Sequence, residues 1–204
     1  MHFIFHVFAY NFISCIYTIE MKKTILSETA IYTGTIDSPK GYEIDREKIK
    51  KEAVQGYVLN NRKHFIENTW EHKDYKLMRH ISELRFVEDY IKDFFKIKAG
   101  AVLESKNYYV NILEHLEQSY SRNNLNLNHL LDSPSYTMIY CVDVTEKSSS
   151  IVIEYDDHLR INKLHQVPVK NNMFIIMPST LRYFISENLS EDPNIFININ
   201  YRAR

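Results

Sequence analysis

The feature that most constrains the fold is a change in hydrophobic period near residue 105. Before it, apolar residues recur every three to four positions, most clearly in "HISELRFVEDYIKDFFKIK", which predicts a helix with one apolar face. After it, apolar and polar residues alternate with a period of two, which is typical of strands. We therefore predict an α+β chain with a helical part over 42–100 and a β-roll over 105–202.

The β-rich part divides into seven short runs of β-branched and aromatic residues. The joins between them are polar and turn-like, and they carry no helical pattern. This arrangement predicts an antiparallel sandwich or barrel, against which the helical N-terminal half packs. The seven runs are "YYVNIL", "YTMIYCVDV", "SIVIEY", "KLHQVPV", "MFIIM", "RYFIS" and "NIFININY".

Composition excludes several functional classes. The chain has 204 residues, 45% of them hydrophobic, which suits one globular domain. Its formal charge of −1 gives no strong signal for nucleic-acid binding. The 2 cysteines form neither a disulfide framework nor a zinc motif, so we expect a reducing, cytoplasmic location.

The N-terminus needs a separate interpretation. Residues 1–19, "MHFIFHVFAYNFISCIYTI", are uncharged and long enough for a membrane span, but no basic segment precedes them. Because Met21 is followed by two lysines, we interpret 1–20 as a leader or an upstream-start artefact and 21–204 as the single domain. A membrane anchor or a docked segment is the alternative, and membrane association is expected only if 1–19 is a real segment.

Two stretches carry a resemblance to a known family. One is "NNMFIIMPSTLRYFISENLSEDPNIFININ" (171–200), with a Pro-Ser turn, an Asn-x-Ser loop and a closing strand. The other combines "YVNIL" (109–113) with "HLLDSPSYTMIYCVDV" (129–144). In order and spacing they resemble the Fe(II)/2-oxoglutarate oxygenases, in particular the small oxygenase-like proteins common in phages and marine bacteria.

This resemblance implies a double-stranded β-helix of the jelly-roll or cupin-like kind. It also implies a ferrous iron held by two histidines and a third histidine or carboxylate, with open positions for oxygen and co-substrate. A basic residue on the last strands, usually arginine, would grip the far carboxylate of 2-oxoglutarate.

Most of the implied chemical positions are substituted in this chain. The first metal position falls on His129, which is retained, and the second falls on Leu131, which has no lone pair to donate. The distal histidine position falls on Tyr183, and a neutral phenol is a poor ligand for ferrous iron. The co-substrate position falls on Asn194, an uncharged amide. The resemblance therefore implies a vestigial site.

The sequence offers two sets of residues that could replace the lost positions. A displaced metal site of His129, Asp132 and His165 is the alternative constellation. Arg182 or Arg202 could in principle take the carboxylate, although Arg202 lies eight residues beyond the implied position, roughly 26 Å along a strand.

The sequence thus predicts a catalytically degenerate oxygenase-fold protein that acts as a binding or structural module, with no cofactor. By analogy with the resembling proteins it would be a phage protein of a virion or host-interaction complex, located in the host cytoplasm or virion, with a protein partner or self-association. The alternative is an active Fe(II)/2-oxoglutarate-dependent hydroxylase with a displaced site. On the closing strand, Asn194, Phe196, Asn198 and Asn200 share a face, and the resemblance implies that this face points into the barrel.

Overall fold

Seven strands form where the period-two pattern predicts them. The computed structural model of the chain describes residues 29–36, 42–61, 69–72, 82–125, 132–156 and 162–204. The seven predicted strands are β3 (Leu103–Leu113), β4 (Tyr136–Asp143), β5 (Ser150–Tyr155), β6 (Lys163–Pro168), β7 (Met173–Pro178), β8 (Arg182–Ile185) and β9 (Asn194–Ala203).

The N-terminal half is less helical than its pattern predicts. Its described residues contain two helices, α1 (Arg46–Asn61) and α2 (Ser82–Ala99), and also two short strands, β1 (Tyr32–Thr35) and β2 (Thr69–His72). The prediction of helix throughout 42–100 is therefore wrong at β2, which instead pairs antiparallel with β3. This pairing gives the backbone groups on one edge of β3 hydrogen-bond partners.

The strands form two antiparallel sheets that face each other. The larger sheet has the order β1-β7-β4-β9-β3-β2, and the smaller sheet has the order β6-β5-β8. One apolar core, which includes Ile195, Ile197 and Ile199, lies between the larger sheet and the helices. A second core, which includes Phe196 and Tyr183, lies between the two sheets. Alternate residues of β9 therefore serve different cores.

Residues 119–124 extend the smaller sheet beside β8. The backbone N–H of Arg122 donates to the carbonyl of Tyr183 at 3.0 Å, and the N–H of Tyr183 donates back at 2.9 Å. Earlier in the same segment, the N–H of Ser119 donates to the carbonyl of Ile185 at 3.0 Å. This pairing fixes Arg122 next to Tyr183.

Helix α2 is held on the outer face of the larger sheet by a buried carboxylate. Glu88 accepts hydrogen bonds from Ser105 and, at 2.9 Å, from the hydroxyl of Tyr108, and it forms an ion pair with Lys92 at 2.6 Å. Burial, and then the nearby Glu88 carboxylate, raise the pKa of Tyr201 well above its usual value. Gly100 directly follows the last residue of the helix, and its φ of 71° is the left-handed conformation common after helices.

Within the described residues, no helix combines the length and the apolar character that a membrane span requires. The segment 1–28, and with it the interpretation of residues 1–20, lies outside the described residues.

Candidate functional site in the barrel interior

Tyr183 lies between the two sheets, near the start of β8. Its side chain is 2% exposed. Its hydroxyl oxygen accepts N–H groups from two amides, Asn198 at 3.0 Å and Asn124 at 3.2 Å. These two hydrogen bonds hold the hydroxyl between the two amides.

A polar network on β4 supports the Asn124 amide. The hydroxyl of Thr137 accepts from Asn124 at 2.8 Å and donates to the side-chain oxygen of Asn200 at 2.9 Å. Ser179 lies 3.0 Å from the same hydroxyl. Because Thr137, Ser179 and Asn200 are all buried, these hydrogen bonds replace the solvation lost on folding.

Arg122 places a cation beside this network. Its guanidinium carbon lies 5.7 Å from the ring centre of Tyr109 and 5.8 Å from that of Tyr183, which are cation–π distances. Its Nη2 lies 3.5 Å from the side-chain oxygen of Asn111 on β3. No carboxylate among the described residues forms an ion pair with Arg122. The positive charge of Arg122 therefore contacts the faces of two aromatic rings and one amide oxygen.

Three buried polar atoms in this region have no hydrogen-bond partner among the described residues: Asn111 Nδ2, Arg122 Nε and Asn198 Oδ1. Asn111 is 1% exposed and Asn198 is fully buried. The three residues adjoin one another, because Arg122 contacts Asn111 and Tyr183, and Tyr183 contacts Asn198. We call Asn111, Arg122, Tyr183 and Asn198 the Arg122 cluster.

The other end of β9 is a polar site of a different kind. The amide nitrogen of Asn194 has acceptors on Ser148, Ser149 and Asn188 at 2.8 to 3.1 Å. Its oxygen accepts the backbone N–H of Thr145 at 2.9 Å. We call these five residues the Asn194 cluster. Asn194 is fully buried, and both of its polar atoms are used to hold loops together.

The structure describes only some of the sequence-predicted residues. Asn194 and Tyr183 lie in the two separate clusters, and His129 and Leu131 lie outside the described residues. Asp132 and His165 are both exposed. The interior face predicted for β9 does lie between the sheets, since Phe196 belongs to that core and Asn198 reaches Tyr183.

The arginine that enters the interior is not one that the sequence pointed to. Arg182 is exposed and pairs with Glu154 at 3.4 Å, and Arg202 is exposed opposite Glu104 on β3. Arg122 was not predicted as a site residue because "SRNNLNLN" has the composition of a polar turn. The available signal was a lone arginine in an uncharged asparagine-rich segment that precedes a predicted strand.

The described side chains do not match an iron triad. The hydroxyl at the distal position, Tyr183, already accepts two N–H groups, and the co-substrate position, Asn194, is fully hydrogen-bonded. Among the residues that the structure describes, no three histidine, cysteine, aspartate or glutamate side chains group closely enough to hold a metal. His129, the retained histidine, lies outside them.

Cys141, on β4, is a buried free thiol between the sheets. Burial raises the pKa of its thiol to about 12, because a thiolate would lose its solvation there. A nucleophilic role is therefore not supported by its surroundings.

The fold is similar to that of solved Fe(II)/2-oxoglutarate oxygenases. The epimerase SnoN from nogalamycin biosynthesis matches with a TM-score of 0.60 at 12% identity, covering 85% of this chain and 77% of that chain. The carbocyclase SnoK from the same biosynthesis gives 0.57 at 15% identity, covering 85% and 79%. A prolyl-4-hydroxylase from Pseudomonas putida gives 0.57 at 7% identity, covering 88% and 95%.

No protein-family profile matches the sequence, and no curated protein matches it. At the identities above, the similarity establishes the fold alone. The chain therefore has an oxygenase-like double-layered β fold, as its motifs suggested, and its activity has to be argued from its own residues.

Proposed function

We propose that this protein is a catalytically degenerate member of the oxygenase-like fold, which binds a small polar ligand in the barrel interior without a metal. The observation that carries the proposal is the state of Tyr183. Its hydroxyl is the hydrogen-bond acceptor for two amides, and both amides are held in place by the barrel. A side chain used in this way supports the interior instead of offering a lone pair to iron.

The Asn194 cluster supports the same proposal from the other end of the closing strand. A co-substrate clamp must present free donors to a carboxylate. The donors of Asn194 instead face Ser148, Ser149 and Asn188, so the side chain contributes to loop structure.

Binding is favoured over a purely structural role because polar atoms remain to be satisfied. A buried donor or acceptor without a partner costs about 1 to 3 kcal/mol, and native proteins tolerate few of them. Three such atoms adjoin each other in the Arg122 cluster. Concentrated in one place, they favour an interior that is completed by bound water, an ion or a small ligand.

An anaerobic titration with Fe(II) and 2-oxoglutarate tests this proposal. We expect no visible charge-transfer band and no tight Fe(II) binding by the full-length protein. A band that is lost when 2-oxoglutarate is omitted would overturn the proposal and support an active oxygenase.

A matched gain-of-function variant keeps a negative result informative. The resemblance implies that Leu131→Asp combined with Tyr183→His rebuilds a triad with His129. We expect this double variant to acquire Fe(II) affinity that the wild type lacks, whereas Leu131→Asp alone should remain without it. Equal affinities in all three proteins would contradict the assignment of vestigial positions.

The second candidate function is an active Fe(II)/2-oxoglutarate-dependent hydroxylase with a displaced site. The fold similarity favours it, because the three proteins named above include oxygenases of the same architecture. It requires ligands outside the described residues, with His129 as the first. A protein partner, self-association and a phage origin stay predictions from the sequence.

A further inference from the structure

The outer face of the larger sheet carries an apolar groove between β1 and α2, with a volume of about 420 Å³. Its floor is formed by Ile91 and Phe95 of α2 and by Phe174 and Ile176 of β7, which all belong to the core between this sheet and the helices. The volume lies in the range of about 300 to 1,000 Å³ that is typical of small-molecule sites. The groove is therefore large enough for a ligand, and it lies outside the barrel interior.

Close packing holds this floor in place. The ring centres of Tyr32 and Phe95 lie 4.9 Å apart in an edge-to-face arrangement. Gly34 of β1 leaves room for the ring of Phe174, because a Cβ at this position would lie 2.6 Å from Phe174 Cζ. The aromatic floor is therefore preformed, which lowers the entropic cost of binding.

The rim of the groove exposes apolar surface. Phe94 lines the groove next to the buried Phe95, yet it is 49% exposed. Contact with an apolar ligand would remove more of this ring from water, which is favourable. Because the exposed ring continues the apolar floor, the groove favours a ligand with an apolar body.

A cation lies at one end of the groove. Lys98 is exposed, lines the groove, and has its Nζ 5.6 Å from the centre of the Phe94 ring. None of the described carboxylates forms an ion pair with it, and no aspartate or glutamate is among the described residues that line the groove. One positive charge beside apolar walls is complementary to a ligand with one negative charge at the end of an apolar body.

The spacing on α2 gives the length of that body. Lys98 follows Ile91 by seven residues, which corresponds to about 10 Å along the helix axis. An extended alkyl chain advances about 1.3 Å per carbon, so about eight carbons cover this distance. A carboxylate suits the charged end better than a doubly charged phosphate monoester, because Lys98 is the one lysine or arginine among the described lining residues.

We infer that the groove between β1 and α2 is a binding site for a medium-chain fatty acid, with the carboxylate at Lys98 and the chain over Phe94 and Phe95. The site lies on the outer face of the sheet, so the inference goes beyond the proposed function and does not depend on it.

Isothermal titration calorimetry of the full-length protein with decanoate tests the inference. We expect a Kd on the order of 0.1 mM, given about twelve non-hydrogen atoms in the ligand. Affinity should fall roughly threefold for each methylene removed, from decanoate through octanoate to hexanoate. Compared with octanoate, octanol should bind about threefold more weakly, since contact with an exposed lysine contributes little, and octylammonium at least about tenfold more weakly.

Variants of exposed residues locate the ligand without disturbing the core. Phe94→Ala should weaken decanoate binding by about tenfold. Ile97→Ala is the matched control, because Ile97 is 79% exposed on the same helix and is not among the described lining residues, so its affinity should equal that of the wild type. Lys98→Gln should weaken octanoate binding about threefold and leave octanol binding unchanged, whereas the exposed Lys96→Gln should change neither.

Three results would overturn the inference, with circular dichroism confirming that each protein is folded. The first is no decanoate binding by wild type up to about 2 mM, in which case another occupant, such as residues 1–19 or a second copy of the chain, covers the groove. The second is octylammonium binding as tightly as octanoate, which would remove the role of the lysine. The third is an unchanged decanoate affinity in both Phe94→Ala and Lys98→Gln, which would place the ligand elsewhere.

Discussion

Two of the three asparagines on the inward face of β9, Asn194 and Asn198, are buried to the same extent but differ in their surroundings. Asn194 and Asn198 are both fully buried. They lie four residues apart on one face, about 13 Å along the strand. Asn194 uses both polar atoms in bonds to loops, whereas Asn198 has one bond and one unpartnered oxygen.

This difference separates two kinds of buried polar residue on a single strand, one that is fully hydrogen-bonded and one that is not. A buried polar residue that is fully hydrogen-bonded stabilises its surroundings, and removing it exposes several partners at once. A buried polar residue that lacks a partner costs stability, and in native proteins such a group marks strain, a functional site, or a bound water or ion. The Asn194 cluster belongs to the first kind and the Arg122 cluster to the second.

The largest effect is expected for Asn194→Leu. The substitution leaves the N–H of Thr145 and the side chains of Ser148 and Ser149 without their amide partner. Such losses add to a free energy of unfolding lower by about 3 kcal/mol. Urea unfolding monitored by circular dichroism measures it, with the exposed Asn123→Leu as control. A change below about 1 kcal/mol would remove the distinction between the two ends.

The raised pKa of the buried Cys141 thiol predicts how the stability of the barrel changes at high pH. Cys141 pairs with Phe196, and burial raises its pKa from 9.0 to about 12. The folded state therefore favours the protonated thiol, so its contribution is fully present below pH 9 and is lost as the pH rises toward 12. From pH 8 to 10.5 we expect wild type to lose about 2 kcal/mol more of its unfolding free energy than Cys141→Ala.

Urea unfolding of both proteins at the two pH values measures this difference, because lysine and tyrosine titrations are common to both. Equal pH dependence would show that the thiol ionises in the folded barrel, and that the interior admits water near Phe196.

A smaller effect is expected for Thr137→Val, which keeps the shape of the side chain but removes the hydroxyl. Asn124 and Asn200 each lose a hydrogen-bond partner, so the free energy of unfolding should fall by about 1 to 2 kcal/mol. Thermal unfolding measures this effect, with the exposed Asn123→Leu as the control. An unchanged free energy of unfolding would contradict the role of this hydroxyl in holding Asn124 and Asn200.

The smallest effect on stability is expected for Asn198→Leu. It removes one hydrogen bond to Tyr183, which retains its bond to Asn124, and it also removes an unpartnered buried oxygen. The two changes oppose each other, so the free energy of unfolding should change by less than about 1 kcal/mol. A loss as large as that of Asn194→Leu, measured by the same urea unfolding, would show that both ends of β9 serve stability alike.

Much of the fold was predictable because it depends on local pattern. The strands β3 to β9 are short runs rich in β-branched and aromatic residues that are separated by polar turns, and α2 has one apolar stripe. The strands β1 (YTGT) and β2 (TWEH) span 4 residues each and contain no apolar run that would mark a strand. They form because an adjacent strand offers backbone partners, which is a tertiary effect.

The candidate site was predictable only in part. Strand parity indicated that Asn194 and Asn198 look inward, but nothing in the sequence shows that one meets serines and the other a tyrosine. Arg122 could not be placed, because its position depends on pairing between residues 119–124 and β8. The displaced constellation of His129, Asp132 and His165 stays a prediction, since His129 lies outside the described residues.

The central claim is that Tyr183 and Asn194 serve the barrel's own structure instead of an iron and co-substrate site, and the anaerobic titration with Fe(II) and 2-oxoglutarate tests it most directly. With the full-length protein we predict no visible charge-transfer band, whereas Leu131→Asp combined with Tyr183→His should bind Fe(II). A band in the wild type that is lost when 2-oxoglutarate is omitted would contradict the account.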